Sequence, residues 1–134
     1  MNNRGKRILV VDDSEEVRSL ITFLLTGEGY AVSEACDGEE ALRLIKAEPF
    51  DVVVTDFQMP GLNGLEVMAH MREQDAQRPV IIVSGLDTDL SRCAVELGAY
   101  AWMSKPLSRP LFLDIVRSAA TAGQMGTLPV GSSA

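Results

Sequence analysis

Cysteine, histidine and long apolar runs are all scarce in this 134-residue chain. Cys36 and Cys93 lie far apart without metal-ligand spacing, so no disulfide framework or zinc site is predicted and both are expected to be buried, reduced thiols. The single histidine, His70, has no second histidine beside it and is expected to be a solvated helix residue. No apolar stretch approaches the roughly 20 residues of a membrane span, which favours a cytoplasmic protein with no membrane partner.

Basic residues are also outnumbered, with 12 Lys and Arg against 19 Asp and Glu and a formal net charge of -7. Because polyanions attract basic surfaces, direct binding to nucleic acid is not expected. The length fits one domain, expected to span residues 7–120 after an N-terminal extension at residues 1–6. Residues 121–134 are rich in small and polar residues and are predicted to be a flexible tail or a truncated linker.

Short apolar runs alternate with segments whose apolar residues recur at helical spacing. Four of these runs are typical of buried strands, at residues 8–11, 52–55, 80–83 and 101–104. A further strand is predicted at residues 30–35. The resulting β-α order, repeated five times, predicts an α/β fold in which helices cover both faces of a parallel sheet.

Each of the four buried runs ends at a reactive polar group, namely Asp12-Asp13, Asp56, Ser84 and Lys105. The carboxyl ends of parallel strands meet at the crevice where such sheets bind ligands. Carboxylates there suit Mg²⁺, and an aspartate beside a bound cation is able to attack a phosphoryl group. Taken singly, each residue could be a helix cap, a turn residue or a solvated residue. Together they favour phosphorylation of Asp56, with a hydroxyl and an ammonium to bind the phosphoryl oxygens.

The motifs at these strand ends resemble those of a response-regulator receiver domain of two-component signalling. They are Asp12-Asp13-Ser14, residues 56–64, Ser84-Gly85, Gly98-Ala99 and Lys105-Pro106. The resemblance extends from about Arg7 to about Ala120. It implies a flavodoxin-like (βα)5 three-layer sandwich whose five parallel strands lie in the order 2-1-3-4-5.

The resemblance also implies a metal site and a phosphoacceptor. Asp13, Asp56 and the backbone carbonyl of Gln58 would bind Mg²⁺, and Asp12 would contact the ion through water. Asp56 would accept a phosphoryl group from a phospho-histidine of a sensor histidine kinase or a phosphotransfer protein. Phosphorylation would then shift a conformational equilibrium that controls binding of a downstream protein. The resemblance leaves open whether the domain forms a homodimer. No enzyme activity is implied beyond its own phosphorylation and dephosphorylation.

Signalling would depend on three residues at the last two strands. Ser84 and Lys105 would bind the phosphoryl oxygens and report their presence to the rest of the fold. Ser84 stands where Thr is commoner in the family, and Trp102 stands where Phe or Tyr is usual. Trp102 is therefore interpreted either as an aromatic switch or as a fixed, partly buried strand residue.

Other classes fit the sequence less well. A flavin-binding electron carrier would need a glycine- and hydroxyl-rich phosphate loop after the first strand, where Asp12 and Asp13 would repel a phosphate. A haloacid-dehalogenase-type phosphatase would need a second Asp two residues after Asp56, where Gln58 stands. The remaining alternative is a receiver-like interaction module that acts without phosphorylation.

Overall fold

A parallel five-stranded sheet forms the centre of the molecule. The computed structural model describes residues 5–73, 78–85 and 90–125. The strands are β1 (Arg7–Val11), β2 (Ala31–Ala35), β3 (Val52–Asp56), β4 (Val80–Ser84) and β5 (Ala101–Ser104). They lie in the order β2-β1-β3-β4-β5, and every neighbouring pair is parallel. The predicted flavodoxin-like α/β architecture is therefore confirmed.

One helix follows each strand. The helices are α1 (Glu15–Gly27), α2 (Gly38–Ala47), α3 (Gly64–Arg72), α4 (Leu90–Glu96) and α5 (Arg109–Met125). The first three begin at side-chain caps, because Ser14, Asp37 and Asn63 each accept a hydrogen bond from a backbone N–H of the first turn. Asn63 and Glu66 complete a capping box at the start of α3. Within the described residues, no helix is both long and apolar enough to cross a bilayer.

The sheet separates two hydrophobic cores, because successive side chains of a strand point to opposite faces. In β1, for example, Ile8 belongs to one core and Leu9 to the other. The first core is completed by α1 and α5, with Ile21, Leu25, Phe112 and Val116. The second is completed by α2, α3 and α4, with Ala41, Val67, Met68 and Ala94. β3 and β4 are buried at every position. Asp56 and Ser84, at their carboxyl ends, are therefore held by a closely packed sheet.

The prediction that both cysteines are buried is wrong. Cys36 is exposed just after the edge strand β2, and Cys93 is exposed on the outer side of α4, where Ala94 is the buried residue. Leu97, which belongs to the same predicted apolar stripe, is 65% exposed. Among the described side chains of α4, residues 91–96, Ala94 is the one that is buried. His70 is exposed on α3, as predicted.

α5 extends into the segment predicted to be a flexible tail. The helix continues to Met125, and the hydroxyl of Thr121 donates a hydrogen bond to the backbone carbonyl of Arg117 one turn earlier. Residues 121–125 thus continue a helix that is already anchored in the core, and the flexible tail or truncated linker stays a prediction. The rest of the predicted tail, residues 126–134, lies outside the described residues.

Candidate functional site

Three carboxylates meet at the carboxyl ends of β1 and β3. One oxygen each of Asp12, Asp13 and Asp56 lies within 4.8 Å of the others. The pairing of Val11 with Thr55 brings Asp12 level with Asp56 on the neighbouring strand. Asp12 and Asp56 are buried, whereas Asp13 is exposed. The three acids therefore form a hollow that opens to solvent on the Asp13 side.

The turn between β1 and α1 is held by the side chain of Asp12. Its Oδ1 accepts a hydrogen bond from the backbone N–H of Ser14 at 2.9 Å. The hydroxyl of Ser14 accepts in turn from the N–H of Val17 at 3.3 Å and caps α1. The strand thus gives way to the helix within three residues, so that both acids are presented at the sheet edge.

Lys105 places its ammonium between two of the acids. The Nζ atom lies 3.2 Å from Oδ1 of Asp56 and 3.5 Å from Oδ2 of Asp12. Its backbone N–H donates to the carbonyl of Ser84 at 2.8 Å, which ties the end of β5 to the end of β4. Burial alone would lower the pKa of Lys105, but the carboxylates of Asp56 and Asp12 outweigh it and raise that pKa above its ordinary value. Lys105 is therefore a permanent cation in the site.

The electrostatics at Asp56 disfavour its negative charge. Burial raises the pKa of the Asp56 carboxyl above its ordinary value, and the charge on Asp12 raises it further, while Lys105 opposes the shift. The Lys105 ammonium contacts two of the three acids, so additional positive charge would stabilise the ionised form of the cluster. Three hard oxygen donors at this spacing fit a divalent cation such as Mg²⁺.

The other predicted site residues lie around this hollow. Ser84 is buried at the end of β4, one position beyond Val83, which pairs with Asp56. Gln58 is exposed in the loop after β3. This loop forms a shallow pocket beside the end of β3, lined by Phe57, Gln58, Met59, Pro60, Gly61 and Asn63. Asp12, Asp13, Asp56, Ser84 and Lys105 thus occupy the same edge of the sheet, and Gln58 lies at its rim.

Trp102 lies on β5, the strand that leads to Lys105. Its side chain packs on the α3 and α4 side of the sheet, where its ring contacts that of Phe57. Phe57 was not singled out from the sequence, although it directly follows Asp56. Its aromatic side chain at the end of a buried strand is a signal that could have marked it.

Gly64 is a second residue that sequence reasoning did not single out individually. Its N–H donates to the carbonyl of Phe57 at 2.9 Å. A Cβ atom added at Gly64 would lie 2.7 Å from the backbone oxygen of Asp56 and 3.2 Å from Cα of Phe57. Only glycine therefore lets α3 begin this close to the end of β3. The Asn63-Gly64 pair before a helix is the sequence signal for such a close approach.

Comparison with known proteins agrees with this geometry. Residues 8–117 match the family described as the response regulator receiver domain. The chain belongs to this family. Among curated relatives, it is 39% identical over 105 residues to the alkaline phosphatase synthesis transcriptional regulatory protein PhoP of Bacillus subtilis (strain 168). That match covers 78% of this chain and 44% of PhoP, so this receiver chain spans less than half the length of that relative.

Solved receiver structures share the fold over nearly their whole length. A response regulator receiver domain protein from Clostridium thermocellum superimposes with a TM-score of 0.86 at 29% identity, covering 91% of this chain and 99% of that one. The response regulator TrrA from Thermotoga maritima gives a TM-score of 0.79 at 32% identity, covering 85% of this chain and 98% of TrrA. TrrA was solved in complex with Mg²⁺-BeF.

Proposed function

We propose that this receiver domain accepts a phosphoryl group on Asp56 from a phospho-histidine, in a reaction that requires Mg²⁺. The donor would be a sensor histidine kinase or a phosphotransfer protein. The observation that carries the proposal is the setting of the Asp56 carboxylate, which is buried, 3.2 Å from the Lys105 ammonium and beside two further acids. The proposed domain spans residues 7–120.

The proposed transfer forms one bond and breaks another. An oxygen of Asp56 bonds to phosphorus, while the bond from phosphorus to the donor imidazole nitrogen breaks and that nitrogen keeps the electron pair. Lys105 is placed to stabilise the negative charge that gathers on the phosphoryl oxygens. Ser84 would donate its hydroxyl to one of these oxygens. Such transfer depends on positioning and charge stabilisation, which these residues supply.

Mg²⁺ fits the donor set of this site. Asp13 and Asp56 would bind the ion together with the backbone carbonyl of Gln58, and Asp12 would contact it through water. The ion would supply positive charge that one ammonium cannot provide for three acids. The TrrA complex with Mg²⁺-BeF supports this assignment, since the two chains share 32% of their residues.

The proposed output is a change in contacts with another protein or an effector domain. Along the chain, α4 and β5 lie between Ser84 and Lys105 and α5 follows Lys105; exposed apolar side chains here are Val95 on α4, Leu97 just after α4 and Leu111 on α5. We propose that phosphorylation alters this surface, which would act by protein contact rather than by catalysis. PhoP is a transcriptional regulator of more than twice the matched length, which supports a regulatory role.

Intact mass spectrometry tests the proposal. The protein is incubated with acetyl phosphate, with and without Mg²⁺, beside the Asp56→Asn variant. The expected result is a gain of one phosphoryl group by the wild type only when Mg²⁺ is present, and no gain by the variant. Equal phosphorylation of the variant would disprove the assignment of Asp56. A wild type that never gains a phosphoryl group would instead favour the phosphorylation-independent interaction module.

A further inference from the structure

The guanidinium of Arg18 joins the turn that carries Asp12 and Asp13 to the neighbouring edge strand β2. Its Nη1 donates a hydrogen bond to the backbone carbonyl of Asp12 at 2.8 Å. Its Nε donates to Oε1 of Glu34, on the edge strand β2, at 2.9 Å. The Arg18 side chain is 16% exposed and its bond to the Asp12 carbonyl is partly buried, whereas Glu34 is 38% exposed and its contact with Arg18 faces solvent.

The carbonyl that Arg18 holds belongs to the peptide bond between Asp12 and Asp13. A peptide group is planar, so fixing its oxygen also fixes the direction in which the next residue leaves it. The N–H of Asp12 already donates to the carbonyl of Ala35 at 3.2 Å, and its carboxylate is engaged by Ser14 and Lys105. Arg18 engages the remaining backbone oxygen and thereby sets the plane from which Asp13 extends.

We propose that Arg18 is a positioning residue of the metal site, which holds the Asp12–Asp13 peptide in the orientation that brings both carboxylates to one cation. This inference rests on the proposed function, because it assumes that the acids bind Mg²⁺. Arg18 touches neither the ion nor the phosphoryl group in this role. Loss of a residue that orients metal ligands typically weakens metal affinity about 10–100-fold.

The chemistry of arginine suits the task better than that of lysine. A guanidinium presents several N–H donors in a rigid plane, so one side chain serves the Asp12 carbonyl and Glu34 together. Glu34 is paired in register with Val10, two residues before Asp12. The bridge therefore ties the turn to a strand position that is itself fixed by the sheet. A single ammonium would supply a less directional contact.

Direct metal titration separates this role from a purely structural one. Binding of Mn²⁺, a paramagnetic substitute for Mg²⁺, is followed by the loss of the free-ion signal in electron paramagnetic resonance. Arg18→Met and Arg18→Gln both remove the guanidinium and keep an unbranched stem. We expect either folded variant to bind Mn²⁺ roughly tenfold more weakly than the wild type. The affinity of Arg18→Lys for Mn²⁺ should lie between that of the wild type and that of these two variants, because lysine restores the charge and one contact.

Arg117 provides the matched control. It forms ion pairs with Glu28 and Asp114 at the α1 and α5 helices, away from the three acids. Arg117→Met should therefore keep wild-type affinity for Mn²⁺ although it also loses an arginine and its ion pairs.

In phosphorylation by acetyl phosphate, the Arg18 variants should need more Mg²⁺ for half-maximal rate, while the rate at saturating Mg²⁺ recovers towards the wild-type value.

The outcomes distinguish this inference from the proposed function. Wild-type affinity for Mn²⁺ in a folded Arg18→Met or Arg18→Gln variant would overturn the positioning role alone. A uniform fall in the phosphorylation rate at all Mg²⁺ concentrations would also overturn it. A wild type that neither binds Mn²⁺ nor accepts a phosphoryl group would overturn the proposed function itself, and the inference with it.

Discussion

The rings of Trp102 and Phe57 are in contact, with centroids 5.4 Å apart and planes tilted by 48°. Phe57 directly follows Asp56, and its N–H donates to the carbonyl of Val83 at 2.9 Å. Trp102 lies on β5, so the contact reaches across β4 from the acceptor strand. We therefore expect a shift of the backbone at Asp56 to reach the indole through the Phe57 ring.

We predict that Trp102 reports binding of a phosphate mimic. Adding beryllofluoride with Mg²⁺ should change the tryptophan emission, which comes from one residue because the chain has a single Trp. Phe57→Leu should reduce this change by removing the ring contact. Phe23→Leu is the control, because Phe23 is 73% exposed on α1. Unchanged emission in a wild type saturated with beryllofluoride would show that Trp102 is a fixed strand residue.

The close approach of α3 to the acceptor strand predicts the effect of a small substitution. Gly64→Ala should lower the free energy of unfolding by about 1–3 kcal/mol, because its Cβ would collide with the backbone of Asp56. Phosphorylation by acetyl phosphate should slow as well. Gly27→Ala is the control, since nothing lies within 4 Å of its added Cβ. Urea unfolding that finds Gly64→Ala as stable as Gly27→Ala would contradict this packing argument.

Removal of the ammonium should leave the acids uncompensated. Lys105→Met is expected to lose about 2 kcal/mol of stability in metal-free buffer, less than a fully buried pair would lose because the lysine is partly exposed. Mg²⁺ should restore part of the loss by binding the folded state. Lys46→Met, on the exposed side of α2, should change stability by less than about 0.5 kcal/mol. Thermal denaturation with and without Mg²⁺ checks both results.

The raised pKa of Asp56 predicts a pH-dependent gain in stability for Asp56→Asn. A carboxyl with a raised pKa binds its proton more tightly in the folded state, so its contribution to stability is lost as pH rises through that pKa. In metal-free buffer, Asp56→Asn should therefore be more stable than the wild type by roughly 1 kcal/mol near pH 7. The difference should vanish below about pH 4, where aspartate is protonated in the unfolded chain too.

Urea unfolding at several pH values measures this difference, with Asp114→Asn on the exposed side of α5 as the control. The control variant should not show a stability gain that grows with pH. A wild type that is more stable than Asp56→Asn near neutral pH would mean that the Asp56 charge is compensated within the protein.

The sheet could be predicted from the sequence because its strands are short, apolar and bounded by polar residues. Residues 101–104 were assigned with the bounds that the structure gives, and residues 8–11 differ by one residue at the start. The same pattern placed the acids and Lys105 at one edge, since parallel strands end together. The order of the strands came from the family resemblance and not from the residues themselves.

Contacts between elements could not be read in the same way. Helical spacing shows that α4 has an apolar stripe, but not that Cys93 and Leu97 lie outside the core. The ring contact of Phe57 and the tight fit of Gly64 depend on how closely separate elements approach one another. The bridge from Arg18 to Glu34 likewise joins residues of α1 and β2 that no local pattern relates.

The most direct test of the central claim is to locate the acyl phosphate. Sodium borohydride reduces the phosphorylated carboxyl of an aspartate to the alcohol of homoserine, which tandem mass spectrometry assigns to one position. After incubation with acetyl phosphate and Mg²⁺, we predict homoserine at position 56 of the wild type, and none when the donor or Mg²⁺ is omitted. Homoserine at Asp12 or Asp13 with position 56 unchanged would contradict the assignment of Asp56 as the phosphoacceptor.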